Sequence, residues 1–213
     1  MLRISATLLE AFRLYTATDW FDEPKLLDWI KGTVIQTPQM KIGRSFHALL
    51  EHPQLNLSGM YEHGGLSFDP AAIDSILERL PKGGVFETKV AKSIGKTREE
   101  DDLVLVAKAD YIAGLHVAEF KAPLNGQFDA DKYERSVQWK MYSWLYGANR
   151  VTYHIACLYE QKDGLFSLRE CSSMDLFPYP ELERDVRELV REFLHYLRSR
   201  QLDSYLRKEV SAL

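Results

Sequence analysis

An α/β fold in which helices flank a central sheet is predicted by two periodicities that take turns along the chain. Residues 4 to 81 and the stretch after Pro180 repeat apolar side chains at helical spacing; from Gly83 the pattern alternates, is interrupted by one helical segment near Asp131, and resumes at Val151. With 213 residues, 46% hydrophobic and 27% charged, the chain is long enough to bury one sizeable core and carries no tract with the polar bias of disorder. One domain over residues 1–213 is expected, with a mainly helical part over 1–82, an α/β core over 83–160 and a closing amphipathic helix over 180–206.

The elements follow in order. ISATLLEAFRLY (4–15) offers Ser5 and Thr7 as caps and then Leu8, Leu9 and Phe12 at helical spacing, which predicts a first helix. KIGRSFHALLE (41–51) sets Ile42, Phe46, Leu49 and Leu50 on one side before Pro53 and predicts a second. SFDPAAIDSILERLP (67–81) predicts a third, with Asp69 as cap, Pro70 at its first position and Pro81 past its end. VFETKVAKSI, LVLVAKADYI and HVAEFKAP alternate and predict a three-stranded antiparallel meander, with a charged turn from Gly95 to Asp102. A helix is expected from Asp131 to Tyr146, with Asp131 and Glu134 as a capping box and Gly147 as its stop. VTYHIACLYE (151–160) reads as a strand that FSLRECS pairs with, and Leu182, Val186, Leu189, Phe193 and Leu197 mark the apolar face of the last helix.

Bulk properties exclude several classes. Cys157 and Cys171 are too few for a disulfide framework, a cysteine-rich zinc site or a four-thiolate iron–sulfur cluster. No apolar run reaches transmembrane length, and MLRISATLLEAFRLY breaks its hydrophobic stretches with Arg3, Glu10 and Arg13, unlike a signal peptide, so a cytoplasmic protein is expected. A net charge of -4 argues against a protein that coats nucleic acid non-specifically, although a local basic groove would still serve an enzyme.

The meander brings chemistry together. Gly114 and Leu115 fit a two-residue hairpin loop with Gly first, as a type II′ turn prefers. Ala113 then faces His116, Ile112 faces Val117, and Asp110 falls opposite Glu119 with Cβ atoms roughly 5 Å apart. Lys121 lies on that same face, about 6.6 Å further along at a rise of about 3.3 Å per residue. Facing like charges cost on the order of 0.2 to 1 kcal/mol, and a divalent cation is a natural compensation.

These stations have a wider context. His47 in GRSFHALLE, Asp110 in VAKAD, Glu119 and Lys121 in AEFK, and Gln138 and Tyr142 in QWKMY together resemble the RecB-like branch of the PD-(D/E)XK nuclease superfamily, whose order is a helical His, an Asp, E-x-K and a Q-x-x-x-Y helix. The resemblance covers residues 5 to 147 and is nearest to the exonucleases of phage recombination systems. It implies a restriction-endonuclease-like core with a mixed sheet, and a metal-dependent deoxyribonuclease acting on DNA ends in recombination or repair. It also implies Mg²⁺ or Mn²⁺ held by His47, Asp110, Glu119 and the Phe120 backbone carbonyl, without an iron–sulfur cluster or a nucleotide. Asp110, Glu119, Lys121, Gln138 and Tyr142 are the implied catalytic residues, and Lys108, Arg135, Lys140, Gln138 and Tyr142 the implied contacts to nucleic acid.

Glu51, one turn from His47, is a candidate to support it. Lys82, Lys89, Lys92, Lys96, Arg98 and Lys132 are further candidates to line a phosphate groove. The candidate partners are DNA ends, single- or double-stranded, a second copy of the chain and a recombination partner protein, with no membrane. A site-specific or structure-specific endonuclease, and a non-catalytic DNA-binding module that keeps the nuclease fold, are the alternatives left open.

Overall fold

The computed structural model describes residues 1–97, 99 and 101–207, so Arg98, counted above among the basic residues, lies outside them. One mixed sheet of eight strands runs in the order β1 (Leu2–Ser5), β5 (Asp102–Ala113), β6 (His116–Lys121), β7 (Arg150–Glu160), β8 (Leu165–Leu176), β3 (Leu66–Phe68) and β2 (Tyr61–His63). The remaining strand, β4 (Val85–Lys96), joins through β5. Strands β4, β5 and β6 form the antiparallel meander that their alternation predicts. Strand β7 then lies parallel to β6, a direction change that needs the helical crossover α5 (Ala130–Glu134) and α6 (Val137–Tyr146) between them.

Helices cover both faces. On one, α1 (Ala6–Ala17), α6 and α7 (Leu182–Ser199) pack Leu9, Phe12, Met141 and Phe193 against Val117, Tyr153 and Ile155. On the other, α3 (Pro38–Glu51) and α4 (Pro70–Leu77) pack Phe46, Leu50, Ile73 and Ile76 against Phe120, Ala156 and Leu158. Alternation along β7 therefore splits between two apolar layers, and each large side chain so buried contributes about 1.5–3 kcal/mol. Among the described residues no helix is long and apolar enough to cross a membrane.

Several expectations need correction. The segment read as one helix from Ile4 opens as strand β1, four residues too short to show a period, and Ser5 caps α1 by accepting from the Leu8 amide at 3.1 Å. Helix α2 (Glu23–Lys31) is a further helix beyond those predicted, whereas β1 and the β2–β3 ribbon make residues 1–82 less uniformly helical than their pattern suggests. The helix foreseen from Asp131 to Tyr146 is two helices, capped by Asp129 and Ser136, and Asp131 pairs with Arg135 instead of forming a capping box. The closing helix stops at Ser199, because Gln201 takes a left-handed backbone at φ 56°, and only a 3-10 turn follows at Asp203–Leu206.

The break before α6 has a long-range cause. Glu10 on α1 accepts hydrogen bonds from the Val137 amide at 2.7 Å and the Ser136 hydroxyl at 3.0 Å, so a carboxylate takes the N-terminal amide of α6. This contact fixes α1 to the helix that carries Gln138 and Tyr142.

The sheet itself has a gap. Strand β4 takes one edge of β5 from Asp102 to Ile112, so β1 and β6 must share the other edge. Strand β1 pairs with residues 103–106 and β6 with residues 111–113, which leaves residues 107–110 without a strand on that side.

A Glu10→Ala variant should lose about 1–3 kcal/mol, the range for a charged hydrogen bond at a helix start. Urea denaturation should show a lower midpoint with an unchanged slope, and a midpoint equal to wild type would contradict the capping role.

Candidate active site

The gap is where the chemistry collects. Gly114 begins the hairpin turn at φ 60°, the conformation that selects glycine there, and the register pairs Ala113 with His116, Ile112 with Val117 and Tyr111 with Ala118. Pairing stops at that point, so Asp110 and Glu119 do not form the facing pair that continued register predicts. Instead the Asp110 Oδ2 accepts from the Phe120 amide at 2.8 Å, and His47 Nε2 lies 3.0 Å from the Phe120 carbonyl. Side chains from β5 and α3 thus take the two backbone groups of β6 that a neighbouring strand would otherwise bond.

Glu87 on β4 belongs to the same distortion. It lies where register would set it opposite Asp110, its φ is 55°, and the ladder skips it between the Phe86–Tyr111 and Thr88–Ala109 pairs. A left-handed backbone at a non-glycine residue costs on the order of 1–3 kcal/mol, and here it coincides with the missing Glu87–Asp110 pair in the β4–β5 ladder. The Glu87 carboxylate forms an ion pair with Lys108.

Electrostatics tie the groups together. His47 Nδ1 stands 3.3 Å from Asp110 Oδ1. Burial acts to lower the His47 pKa, but the Asp110 charge and hydrogen bond outweigh it, and the net result is a raised value. As an imidazolium the ring donates from both nitrogens, to Asp110 and to the Phe120 carbonyl. For Asp110 burial acts upward, yet His47, Lys121 and the Phe120 amide together hold its pKa below the ordinary carboxylate value.

Glu119 has the opposite balance. It is only 4% exposed, and burial first, then the Asp110 charge, push its pKa up to about 7. Its Oε1 accepts from the Lys121 ammonium at 2.7 Å, while Oε2 is buried without a hydrogen-bond partner. Lys121 also reaches Gln138 Oε1 at 3.4 Å and stands 5.7 Å from the centre of the Tyr153 ring. Burial acts to lower the Lys121 pKa, and the Glu119 charge overrides it, so the amine stays protonated. The Tyr142 phenol is pushed well above its usual value by burial and then by the Glu119 and Asp110 charges, although it makes no well-formed hydrogen bond to Oε2.

His47, Asp110, Glu119, Phe120, Lys121, Gln138 and Tyr142 are therefore brought into one place. Arg135 lines the adjoining cavity of about 820 Å³, together with Lys121, Gln138, Tyr153, Arg13 and Trp20. Lys140 is not brought in: its ammonium lies over Trp139 and Tyr179, because a position two residues beyond Gln138 points to another side of the helix. Glu51 lies 3.7 Å from His52 and, among the described residues, forms no hydrogen bond or ion pair with His47, and Lys108 pairs with Glu87. Glu87 and Tyr153 also border the site, and neither a lone acid nor a single tyrosine in an alternating strand gives a sequence signal for it.

Among the described residues no three His, Cys, Asp or Glu side chains close into a ready-made metal cage, since His47 lies against Asp110 and the Phe120 carbonyl. The donor set nonetheless fits a hard divalent cation: two carboxylates, a carbonyl and an imidazole, with one buried carboxylate oxygen unsatisfied. The positive charge now supplied by His47 is what such an ion would bring.

Solved structures share this fold. SSO0001 is 14% identical over 92% of this chain and 76% of its own, with a TM-score of 0.51. The "Putative exonuclease" of Eubacterium rectale is 11% identical over 97% of this chain and 83% of its own, with a TM-score of 0.50. The alkaline exonuclease LHK-Exo of Laribacter hongkongensis is 14% identical over 96% of this chain and 91% of its own, at 0.49. No family model and no curated protein matches the chain. The fold is thus the α/β arrangement with a restriction-endonuclease-like core and a mixed sheet flanked by helices.

Because the folded Glu119 pKa is raised, folding binds a proton between the ordinary carboxylate value and about 7, and this contribution to stability is lost as pH rises through that window. In metal-free buffer a Glu119→Gln variant should gain on wild type by roughly 2–3 kcal/mol between pH 4.5 and pH 8, read by urea denaturation. A constant difference across that range would contradict the burial argument.

Proposed function

We propose that the chain is a metal-dependent deoxyribonuclease that hydrolyses phosphodiester bonds, acting from DNA ends in recombination or repair. The observation that carries this reading is the buried Glu119 carboxylate, with one oxygen unpartnered and the other on the Lys121 ammonium, beside Asp110 in the sheet gap. Asp110, Glu119, the Phe120 carbonyl and His47 would hold Mg²⁺ or Mn²⁺. Such an ion, when bound, neutralises charge on a phosphate oxygen and lowers the pKa of a bound water.

The other roles fall to this chain's own side chains. Lys121, kept as an ammonium, orients the attacking water and steadies the negative charge that grows on the phosphate. Gln138 Oε1 accepts from the Lys121 ammonium alongside Glu119, and the buried Tyr142 stands close to the Glu119 carboxylate. End-directed cutting is favoured by the resemblance of the motif order to the phage recombination exonucleases, and one structure of the same fold bears the name "Putative exonuclease". Action in the cytoplasm accords with that role.

The test uses linear and covalently closed DNA with Mg²⁺, Mn²⁺ or EDTA. Linear DNA should be degraded and circles spared, EDTA should abolish the activity, and Lys121→Ala should lower the rate roughly 10²–10³-fold, as loss of a transition-state donor does. Mn²⁺ should raise the melting temperature of wild type and not of an Asp110→Asn, Glu119→Gln double variant. Nicked circles would instead identify an endonuclease, and binding without cleavage under every metal would contradict the enzymatic reading.

A further inference from the structure

Tyr142 lines a second cavity, of about 540 Å³, that lies along the open edge of β5. Its floor includes Ser5 at the end of β1 and Val106, Ala107 and Lys108 on β5, the stretch that leads directly to Asp110. Four cations from four elements line it: Arg3 on β1, Lys31 at the end of α2, Lys89 on β4 and Lys108 on β5. Among the described lining residues there is no carboxylate. Lys108 is paired with Glu87, while Arg3, Lys31 and Lys89 make no ion pair among the described residues.

The first cavity is different in kind. Its cations Arg13, Arg135 and Lys121 are paired with Glu10, Asp131 and Glu119, Lys132 lies over the Tyr133 ring, and the carboxylates of Glu10, Asp129 and Asp131 line it too. In a chain of net charge -4, unpaired cations gathered beside a candidate active site create a local field that favours an anion. Aromatic faces accompany them, with Trp29 half-buried in the wall and Tyr205 exposed at the rim.

We propose that this groove carries the phosphate backbone of a single nucleic-acid strand up to Asp110 and Glu119, with Arg3, Lys31 and Lys89 on its phosphates and Tyr205 and Trp29 as stacking faces. The inference rests on the reading of the Asp110–Glu119 site as a nuclease centre and adds where the substrate lies and in what form. Cations interleaved with aromatic rings in a recess suit unstacked bases, whereas duplex DNA presents its phosphates outside and its bases stacked away.

The experiment measures binding apart from cleavage. In EDTA, a fluorescent single-stranded oligonucleotide and its duplex are titrated by anisotropy across NaCl concentrations with wild type, Arg3→Gln, Lys31→Gln, Lys89→Gln, the triple variant, and Lys162→Gln in the β7–β8 turn as a control. Each single variant should flatten the slope of log K against log salt by about 0.7, the triple variant should weaken single-strand binding at least tenfold, and the control should match wild type. Thermal melts check that the variants remain folded. The proposal is overturned if wild type does not bind single strands, if the triple variant binds them with wild-type affinity and slope, or if the duplex loses as much as the single strand. Cleavage of linear DNA with Mn²⁺ is scored separately. A chain that binds through the groove and never cuts refutes only the nuclease reading, and one that cuts while the groove variants bind normally refutes only the groove.

Discussion

Everything distinctive about this molecule follows from an interruption in its sheet. Strand β5 is long enough to take β4 along one edge and both β1 and β6 along the other, but the last two meet it only at its ends. A backbone edge left open in a protein interior has to be satisfied. On β6 that is done by side chains, Asp110 on the Phe120 amide and His47 on the Phe120 carbonyl, so the same contacts that close the fold assemble a carboxylate, an imidazole and a carbonyl in a small space. The left-handed Glu87 on the far side of β5 is part of this local geometry.

Into that opening the meander delivers a second carboxylate. Glu119 belongs to the apolar side of β6, facing the layer built by α1, α6 and α7, and its burial there is costly unless a positive group shares the site. Lys121 meets part of that demand and is itself steadied by Gln138. One oxygen remains unmet, the kind of deficit that proteins retain where a ligand or ion completes the shell. Glu10 contributes from a distance, since its grip on the start of α6 sets the position of Gln138 and Tyr142.

Local signals were legible where local physics decides. Gly114 fixes the turn, and with it the Ala113–His116 and Ile112–Val117 pairs; Asp69, Pro70 and Gly147 mark helix ends as their chemistry requires. Helix α2 also announces itself, with Asp22 and Pro24 at its start and a left-handed Gly32 at its end, and its apolar spacing alone was too brief to draw notice. Hidden from a reading along the chain was anything set by distant partners. The strand character of Leu2–Ser5 depends on β5, the break at Ser136 goes with the Glu10 contact, and where β5 and β6 part beyond Tyr111 and Ala118, Asp110 and His47 take the Phe120 amide and carbonyl. Lys140 points away from Gln138 because neighbours on one helix face are three or four residues apart, and its ammonium lies over Trp139 and Tyr179.

Asp110 and Glu119 hold the proposed shared divalent cation between β5 and β6 only if their carboxylates reach one ion. Crystals grown with Mn²⁺ and measured near the manganese edge would locate it by anomalous scattering. A single strong peak within about 2.0–2.3 Å of a carboxylate oxygen of both Asp110 and Glu119, with the Phe120 carbonyl in the same shell, is the predicted result. A map without a peak in the gap, or with manganese bound only elsewhere, would contradict it.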